Sequence, residues 1–368
     1  GYVKPTMAIL PHPRQAAASI ATTVGAAAGN VAHSLLYGGL ADLRPMPRTL
    51  IDDGNRRELY HYRPVAGTTP EGDPVLLVTP LAAPAICYDL RRGCSVVEHL
   101  VGTNRPTYLV EYGEVNFADR SLGIEHWIAH VVPEAIRSVS EHAGGRPVHV
   151  VGWSLGGIFT MLAAADAPDL PIASLAVLGS PCDVRQVPLI APLRPLLNLP
   201  PGNLVTTAYQ AFGGAPKPLV RWAFQISSVD KMFTKPVAKL SNLADREFLA
   251  QLEAVDRFTD NIIAYPGRTF GQLYHHFFRT NALFSGQIDL SDDHSVYLRD
   301  VKQPTLVVAG ANDGIGPVAS VRPLVDLLTG AEELRFEIVP GGHLGLLTGR
   351  AARDNTWPLL DEWFTQHD

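Results

Sequence analysis

The chain has 368 residues, 46% of them hydrophobic and 18% charged, with a net charge of −6, an isoelectric point near 6.1 and a mean hydropathy of +0.07. That is enough apolar material for one large α/β domain carrying an insertion, or for two domains. The acidic balance and the absence of a basic stripe exclude a nucleic-acid partner, and no window supplies the ~18–20 uninterrupted apolar residues of a membrane span.

Residues 1–45 form an N-terminal small-residue segment. Its stretch "QAAASIATTVGAAAGNVAHSLLYGGL" (15–40) is too weakly hydrophobic to span a membrane and lacks the leucine-rich centre of a signal peptide. It reads as a helix packed on the domain. The chain opens on Gly1 rather than Met, as expected of a trimmed chain or a piece of a longer protein.

Strand-like and helix-like runs then alternate. "RELYHYRPV" (57–65) has the period-two pattern of an early strand. "PVLLVTP" (74–80) is a continuous apolar run, the mark of a strand buried on both faces, and "PTYLVEYG" (106–113) is another. "IEHWIAHVVPEAIRSVSEHAG" (124–144) repeats apolar residues at helical spacing up to Gly144. "PVHVVGWS" (147–154), "IASLAVLGSP" (172–181), "PTLVVAGAND" (304–313) and "LRFEIVPGGH" (334–343) read as further strands, and "TWPLLDEWFTQH" (356–367) as a closing amphipathic helix. This alternation predicts a mostly parallel sheet covered by helices on both faces. Residues 46–183 and 301–368 would form that core. Between them, 184–300 open on the proline-dense "VPLIAPLRPLLNLPPG" and continue as helical, aromatic chain. This stretch is expected to be a cap over the carboxyl edge of the sheet.

Within "VHVVGWSLGGIFTMLAAA" (148–165) a strand turns into a helix at a serine between glycines. Gly152 and Gly156 remove the clashes that side chains would cause at so sharp a corner, and Gly157 lets the helix pack close to the sheet. Ser154 is then held up at the sheet edge beside the Leu155 N–H, as a nucleophile elbow. A serine hydroxyl needs a base, and the base an orienting acid. "VVAGANDGIGP" places Asp313 just after one strand and "EIVPGGHLG" places His343 just after the next, in the order Ser–acid–His that an elbow of this kind requires. Asp183 in "GSPCDV" is a rival acid one strand earlier. An oxyanion hole needs two backbone donors: Leu155 N–H is one, and Leu81 or Ala82 in "TPLAAP" the other, although the usual His-Gly is missing there and the segment also reads as a plain apolar loop.

Other chemistry-bearing residues carry less. His126 and His130 are four apart on a helix, a spacing that suits a metal, but no third ligand lies nearby and a solvated face is the simpler reading. His275 and His276 fall in the cap, where packing is the default. Cys87, Cys94 and Cys182 are an odd number without metal spacing, which argues for a reducing, cytoplasmic setting rather than disulfides. No cofactor and no metal are expected. The cap aromatics Trp222, Phe224, Phe277 and Phe278 are expected to line an apolar tunnel to Ser154, or else to form the cap's own small core, with Gly213 and Gly214 as a hinge.

Several stretches together resemble a known family. They are "PVLLVTPLAAPAICYDL", "SVVEHLVGTNRPTYLVEYG", "WIAHVVPEAIRSVSEHAGGRPVHVVGWSLGG", "YPGRTFGQLYHHFFRTNALFSGQ", "PTLVVAGANDGIGP" and "PGGHLG". Over roughly residues 74–365 the chain resembles the polyhydroxyalkanoate synthase branch of the α/β-hydrolases. The resemblance implies the α/β-hydrolase fold with a cap inserted after the sixth strand, an acyl-thioester substrate, an acyl-enzyme intermediate and an apolar channel under a mobile cap. One departure stands out: that family's nucleophile is a cysteine in G-x-C-x-G, whereas this chain has Ser154, as lipases and esterases do. Hydrolysis or simple acyl transfer is therefore favoured over polymerisation. Some actinobacterial relatives are joined to a fatty-acyl-CoA synthetase, which implies that this chain could be the hydrolase half of such a fusion. Three functions are consistent with these residues. The first is a serine hydrolase acting on lipid-type acyl esters or acyl-CoA thioesters, met at a membrane or lipid interface without an anchor. The second is an acyltransferase that passes the acyl group to a growing hydroxyacyl chain or a glycerolipid. The third is a catalytically silent binding module.

Overall fold

Residues 42–81, 85–113, 122–187 and 280–368, with Ala250, Glu253 and His276, are described by the computed structural model. Among the described residues there are ten strands: β1 (Arg48–Gly54), β2 (Arg57–Tyr62), β3 (Val75–Val78), β4 (Thr107–Glu111), β5 (Val148–Trp153), β6 (Ile172–Leu178), β7 (Gln287–Ser291), β8 (His294–Tyr297), β9 (Thr305–Gly310) and β10 (Leu334–Val339). Eight of them make one sheet in the order β1-β2-β4-β3-β5-β6-β9-β10, and β7 and β8 form a separate hairpin. β1 and β2 are antiparallel to each other, and β2 to β4; every later pair in the large sheet is parallel.

The apolar runs of the sequence become the middle of this sheet because successive side chains point to opposite faces. In β3, Leu76 and Val78 enter one core while Val75 and Leu77 enter the other; in β5, Val148 and Val150 face one side and Val151 and Trp153 the other. A strand covered on both faces has no polar alternation to display. Parallel neighbours need crossovers, and helices provide them. α1 (Val96–Gly102) joins β3 to β4, α2 (Val132–His142) precedes β5, α3 (Leu155–Asp166) joins β5 to β6, and α4 (Trp357–His367) closes the chain. α2 and α3 pack on one face, α1 and α4 on the other. The helix expected over 124–144 spans 124–142 and contains one π turn at Trp127–Val131.

The chain runs outward from β3 to β4 and then returns to place β5 on the other side of β3. Such a reversal opens a crevice at the carboxyl ends of the two strands, and ligands of open α/β sheets bind there. The turn after β5 is Ser154 and the segment after β3 begins at Thr79, so both flank the crevice.

Residues 281–300, expected at the end of the insertion, pack with the core. Ile288, Leu290 and Val296 of the hairpin share a cluster with Phe159 and Leu162 of α3. Asn281 ties this return to the segment after β6: its Oδ1 accepts the Val184 N–H (3.0 Å) and its Nδ2 donates to Asp183 Oδ1 (2.9 Å). Residues 1–41, the cap residues Gly213, Gly214, Trp222, Phe224, His275, Phe277 and Phe278, and Ala82 lie outside the described residues. Among the described residues no helix is long and apolar enough to cross a membrane.

A charge clamp holds the hairpin to the core. His294 at the start of β8 lies between two carboxylates, with Nε2 2.6 Å from Asp166 Oδ1 at the end of α3 and Nδ1 2.9 Å from Glu125 Oε1. The hydrogen bond to Asp166, then that to Glu125, raise the imidazole's pKa against the opposing effect of burial. A histidine with a raised folded pKa contributes stability that is complete below its unfolded value, about 6.5, and is lost as pH rises through the folded value. Thermal unfolding should therefore show wild type above His294→Gln by a wide margin near pH ~5.5, and the gap should close as the pH is raised toward ~9. A gap that stays constant across this range would contradict the clamp.

Candidate active site

The corner between β5 and α3 is a single residue. Ser154 has φ 56° and ψ −123°, a conformation that residues with a Cβ adopt only where the surroundings enforce it. Here they do so from three sides. The Ser154 N–H donates to Leu178 O at the end of β6 (2.8 Å) and the Gly157 N–H donates to Ser154 O (3.1 Å). The Ser180 hydroxyl donates to the same carbonyl (2.6 Å). The corner has no room for side chains. A Cβ on Gly152 would lie 2.5 Å from Gly156 O, and one on Gly156 2.5 Å from Val78 O of β3. One on Gly157 would lie 2.2 Å from Ser180 Oγ.

His343 follows β10 and reaches back over the elbow. Its Nε2 lies 2.9 Å from Ser154 Oγ and its Nδ1 2.8 Å from Asp313 Oδ2. Asp313, just after β9, uses its other oxygen to accept the N–H groups of Ile315 and Gly316, both at 2.8 Å. Asp313 is 5% and His343 7% exposed. Burial alone would raise the Asp313 pKa. The charge and hydrogen bond of His343, with the two amides, outweigh it and hold the carboxyl below its usual value. The three side chains thus form one hydrogen-bonded row ending in an ionised carboxylate. A hydroxyl held against an imidazole so oriented can surrender its proton while it attacks a carbonyl carbon.

Asp183 does not join this row. Its Oδ1 accepts from Arg185 Nε (2.9 Å), from the Arg185 N–H (3.1 Å) and from Asn281 Nδ2 (2.9 Å), and its Oδ2 from Arg185 Nη2 (3.0 Å). Leu155 is the first residue of α3, so its amide is one that the helix leaves unpaired. Leu81 is buried just beyond β3. The end of β3 is pinned by groups that sequence reasoning did not single out. Tyr88 Oη donates to Val78 O (2.8 Å), Tyr112 Oη to Thr79 O (2.7 Å), and Thr79 Oγ1 to Val110 O (3.1 Å). Ser180 escaped notice as well: it acts from the turn just after β6, and no local pattern announces that.

The other candidates lie elsewhere. His126 Nε2 sits 2.9 Å from Asn55 O, and His130 Nδ1 lies 3.9 Å from Glu134. His276 lends a backbone carbonyl to Thr280 Oγ1 (3.4 Å). The three cysteines are buried and unbridged. Asp73, His149 and Asp368 come together with metal-like spacing. However, Arg146 already holds Asp73 (2.9 Å), Arg105 holds Asp368 (2.7 Å) and the Ser174 hydroxyl lies 2.7 Å from His149 Nδ1. Two guanidinium groups supply the positive charge a cation would bring.

Comparison with known proteins places this geometry in context. The family model described as the alpha/beta hydrolase fold matches residues 94–350. The poly(3-hydroxyalkanoate) polymerase subunit PhaC of Allochromatium vinosum is 24% identical over 351 residues, covering 92% of this chain and 94% of that protein. Its counterpart in Thiocystis violacea is 22% identical over 348 residues, covering 92% and 93%. The crystal structure of a monoacylglycerol lipase from Paleococcus ferrophilus superposes with a TM-score of 0.51 at 16% identity, covering 88% of this chain and all of that one, a likeness of fold. The chain belongs to the α/β-hydrolase family, and within it is similar over 92% of its length to polyhydroxyalkanoate polymerase subunits.

Proposed function

We propose that this protein is a serine hydrolase that cleaves lipid-type acyl esters or thioesters through an acyl-Ser154 intermediate. The observation that carries the reading is the row itself, with Ser154 Oγ 2.9 Å from His343 Nε2 and Asp313 behind the ring. As Ser154 Oγ bonds to the acyl carbon, its proton passes to His343 Nε2, and Asp313 stabilises the resulting imidazolium. His343 then returns the proton to the leaving alkoxide or thiolate as the C–O or C–S bond breaks. Water enters by the same steps in reverse and releases the acid. The oxyanion of each tetrahedral intermediate would be met by the Leu155 amide at the positive end of α3 and by a second amide from Leu81 or Ala82.

The similarity to polymerase subunits across 92% of the chain favours a second reading, in which an alcohol replaces water as the acceptor. The nucleophile bears on the choice. A thioester substrate passes its acyl group downhill to a serine oxygen, but the resulting oxygen ester has little left to drive formation of another ester. Hydrolysis remains downhill, which is why it is the first reading.

Rates on p-nitrophenyl esters and acyl-CoAs test the assignment. Ser154→Ala should lose about 10³-fold or more, Asp313→Asn a comparable factor, and Asp183→Asn no more than about 3-fold. A fluorophosphonate should label Ser154 in the wild type. Equal rates in Ser154→Ala, or no adduct on folded protein, would sink the hydrolase and favour a silent binding module. Incubation with a 3-hydroxyacyl-CoA, followed by mass spectrometry, separates the two acceptors. Free acid and CoA alone are expected; products heavier than the free acid would overturn hydrolysis in favour of transfer.

A further inference from the structure

The residue before Ser154 is a tryptophan, and its side chain reaches the base rather than the substrate. The indole N–H of Trp153 donates to the backbone carbonyl of His343 (2.9 Å). The two rings lie with centroids 4.8 Å apart and planes inclined by 35°. Trp153 is 1% exposed and belongs to the same core cluster as Leu344 and Leu346, which follow His343. We propose that Trp153 is a positioning residue for His343, fixing the main chain and ring face of the base relative to the elbow that carries the nucleophile. This inference rests on the acyl-transfer reading of the same site.

The need for such a device follows from the loop. His343 comes after Gly341, at φ +127°, and Gly342, two residues held only through their backbone, whose carbonyls accept the N–H groups of Asn312 (3.0 Å) and Leu346 (2.9 Å). The bond from Asp313 fixes one ring nitrogen at the ring's far corner, and the Trp153 indole N–H holds the residue at its other end, the backbone carbonyl. Trp153 adds two restraints of its own. It holds the carbonyl of His343, and it packs against the face of a ring that becomes positively charged when it takes the serine proton. Because Trp153 ends β5 and Ser154 follows at once, both the nucleophile and the part that locates its base are set by one strand end. A displacement of about 1 Å in such an arrangement can cost about 10²-fold in rate.

A tryptophan that merely fills the core would alter stability without altering the folded enzyme's rate constants, and Trp363 provides the matched control. It is 0% exposed in the same cluster, on α4, and its indole nitrogen meets no acceptor among the described residues. Trp153→Phe, which keeps a ring but not the N–H, should lower kcat and the rate of fluorophosphonate labelling by about 10- to 100-fold with KM within about 2-fold. Trp153→Met, which fills space without ring or N–H, should fall further. Trp363→Phe should leave both rate constants within about 2-fold even where it lowers the melting temperature. A readout independent of turnover is the downfield proton NMR signal of the imidazole N–H bonded to Asp313. It should be sharp in wild type and Trp363→Phe and broadened in Trp153→Phe. Unchanged kcat with a sharp signal in Trp153→Phe, or an equal loss in Trp363→Phe, would overturn the proposal. If wild type itself neither turns over nor labels, the hydrolase reading fails, and the NMR comparison still decides whether Trp153 holds the ring.

Discussion

The left-handed backbone of Ser154 is the constraint around which this end of the molecule is organised. A non-glycine residue at φ 56° costs on the order of 1–3 kcal/mol, so the surroundings must over-determine it. The N–H is taken by β6, the carbonyl by Ser180 and Gly157, and the neighbouring positions are bare because β3, β6 and α3 all converge on the corner. Leu178 and Ser180 come from the end of β6 and Gly157 from α3, so the conformation exists only in the assembled sheet. The corner also presents the hydroxyl to His343, whose Nε2 lies 2.9 Å away.

The imidazole that meets this hydroxyl comes from far across the sheet. β10 is three strands from β5 and β9 is two, at roughly 4.8 Å per strand, so the loops bearing His343 and Asp313 must travel back over the end of β6. The chain there makes way. Gly179, directly after β6, turns at φ +61°, and a Cβ on it would come within 3.1 Å of Asp313 Oδ2 and 3.5 Å of His343 Nδ1. Its carbonyl lies 2.4 Å from where a Cβ on Gly316 would stand. The end of β6 is thus the floor of the Asp313–His343 pair as well as the anchor of the elbow. One short segment, from Leu178 to Ser180, meets all three side chains of the row or their backbones.

This division explains what could be read from the sequence. β3, β5, β6 and β9 were legible because strands covered on both faces are continuous apolar runs, and Ser154 and Asp313 because each sits just beyond such a run; His343 follows β10, a half-buried edge strand that shows as the next strand-like stretch after it. β1 left no signal: it is an edge strand, half exposed, with Asp52 and Asp53 inside it. α1 did leave one, the serine of "SVVE", whose Ser95 hydroxyl accepts the Glu98 N–H (3.0 Å) as an N-cap should, but at seven residues its periodicity is too short to notice. The hairpin alternates Ile288, Leu290 and Val296 with polar residues, yet the aromatic, proline-marked stretch before it invites the whole region to be read as cap. The residues that locate the site's backbone, Tyr88, Tyr112, Trp153 and Ser180, were not legible in principle. Their roles depend on which strands become neighbours, and strand order is not a local property of the chain.

The two carboxylates at the strand ends show how partners, rather than position, separate otherwise similar residues. Asp183 and Asp313 both follow buried parallel strands, both are nearly enclosed, and both are held below the usual carboxylate pKa against the cost of burial. Asp183 has an arginine two residues on that takes both of its oxygens, and Asn281 crosses from the return of the chain to share one of them. Its charge is spent within the molecule, closing the base of the insertion. Asp313 has instead two backbone amides from its own turn, which occupy one oxygen and carry no net charge. The second oxygen and the full negative charge are left for His343. A turn of the form Asp-Gly-Ile-Gly can present both amides because Gly316 passes close to the carbonyl of Gly179, where a larger residue would be expelled. Arg185 and the distant Asn281 on one carboxylate, and the turn amides on the other, therefore distinguish the two.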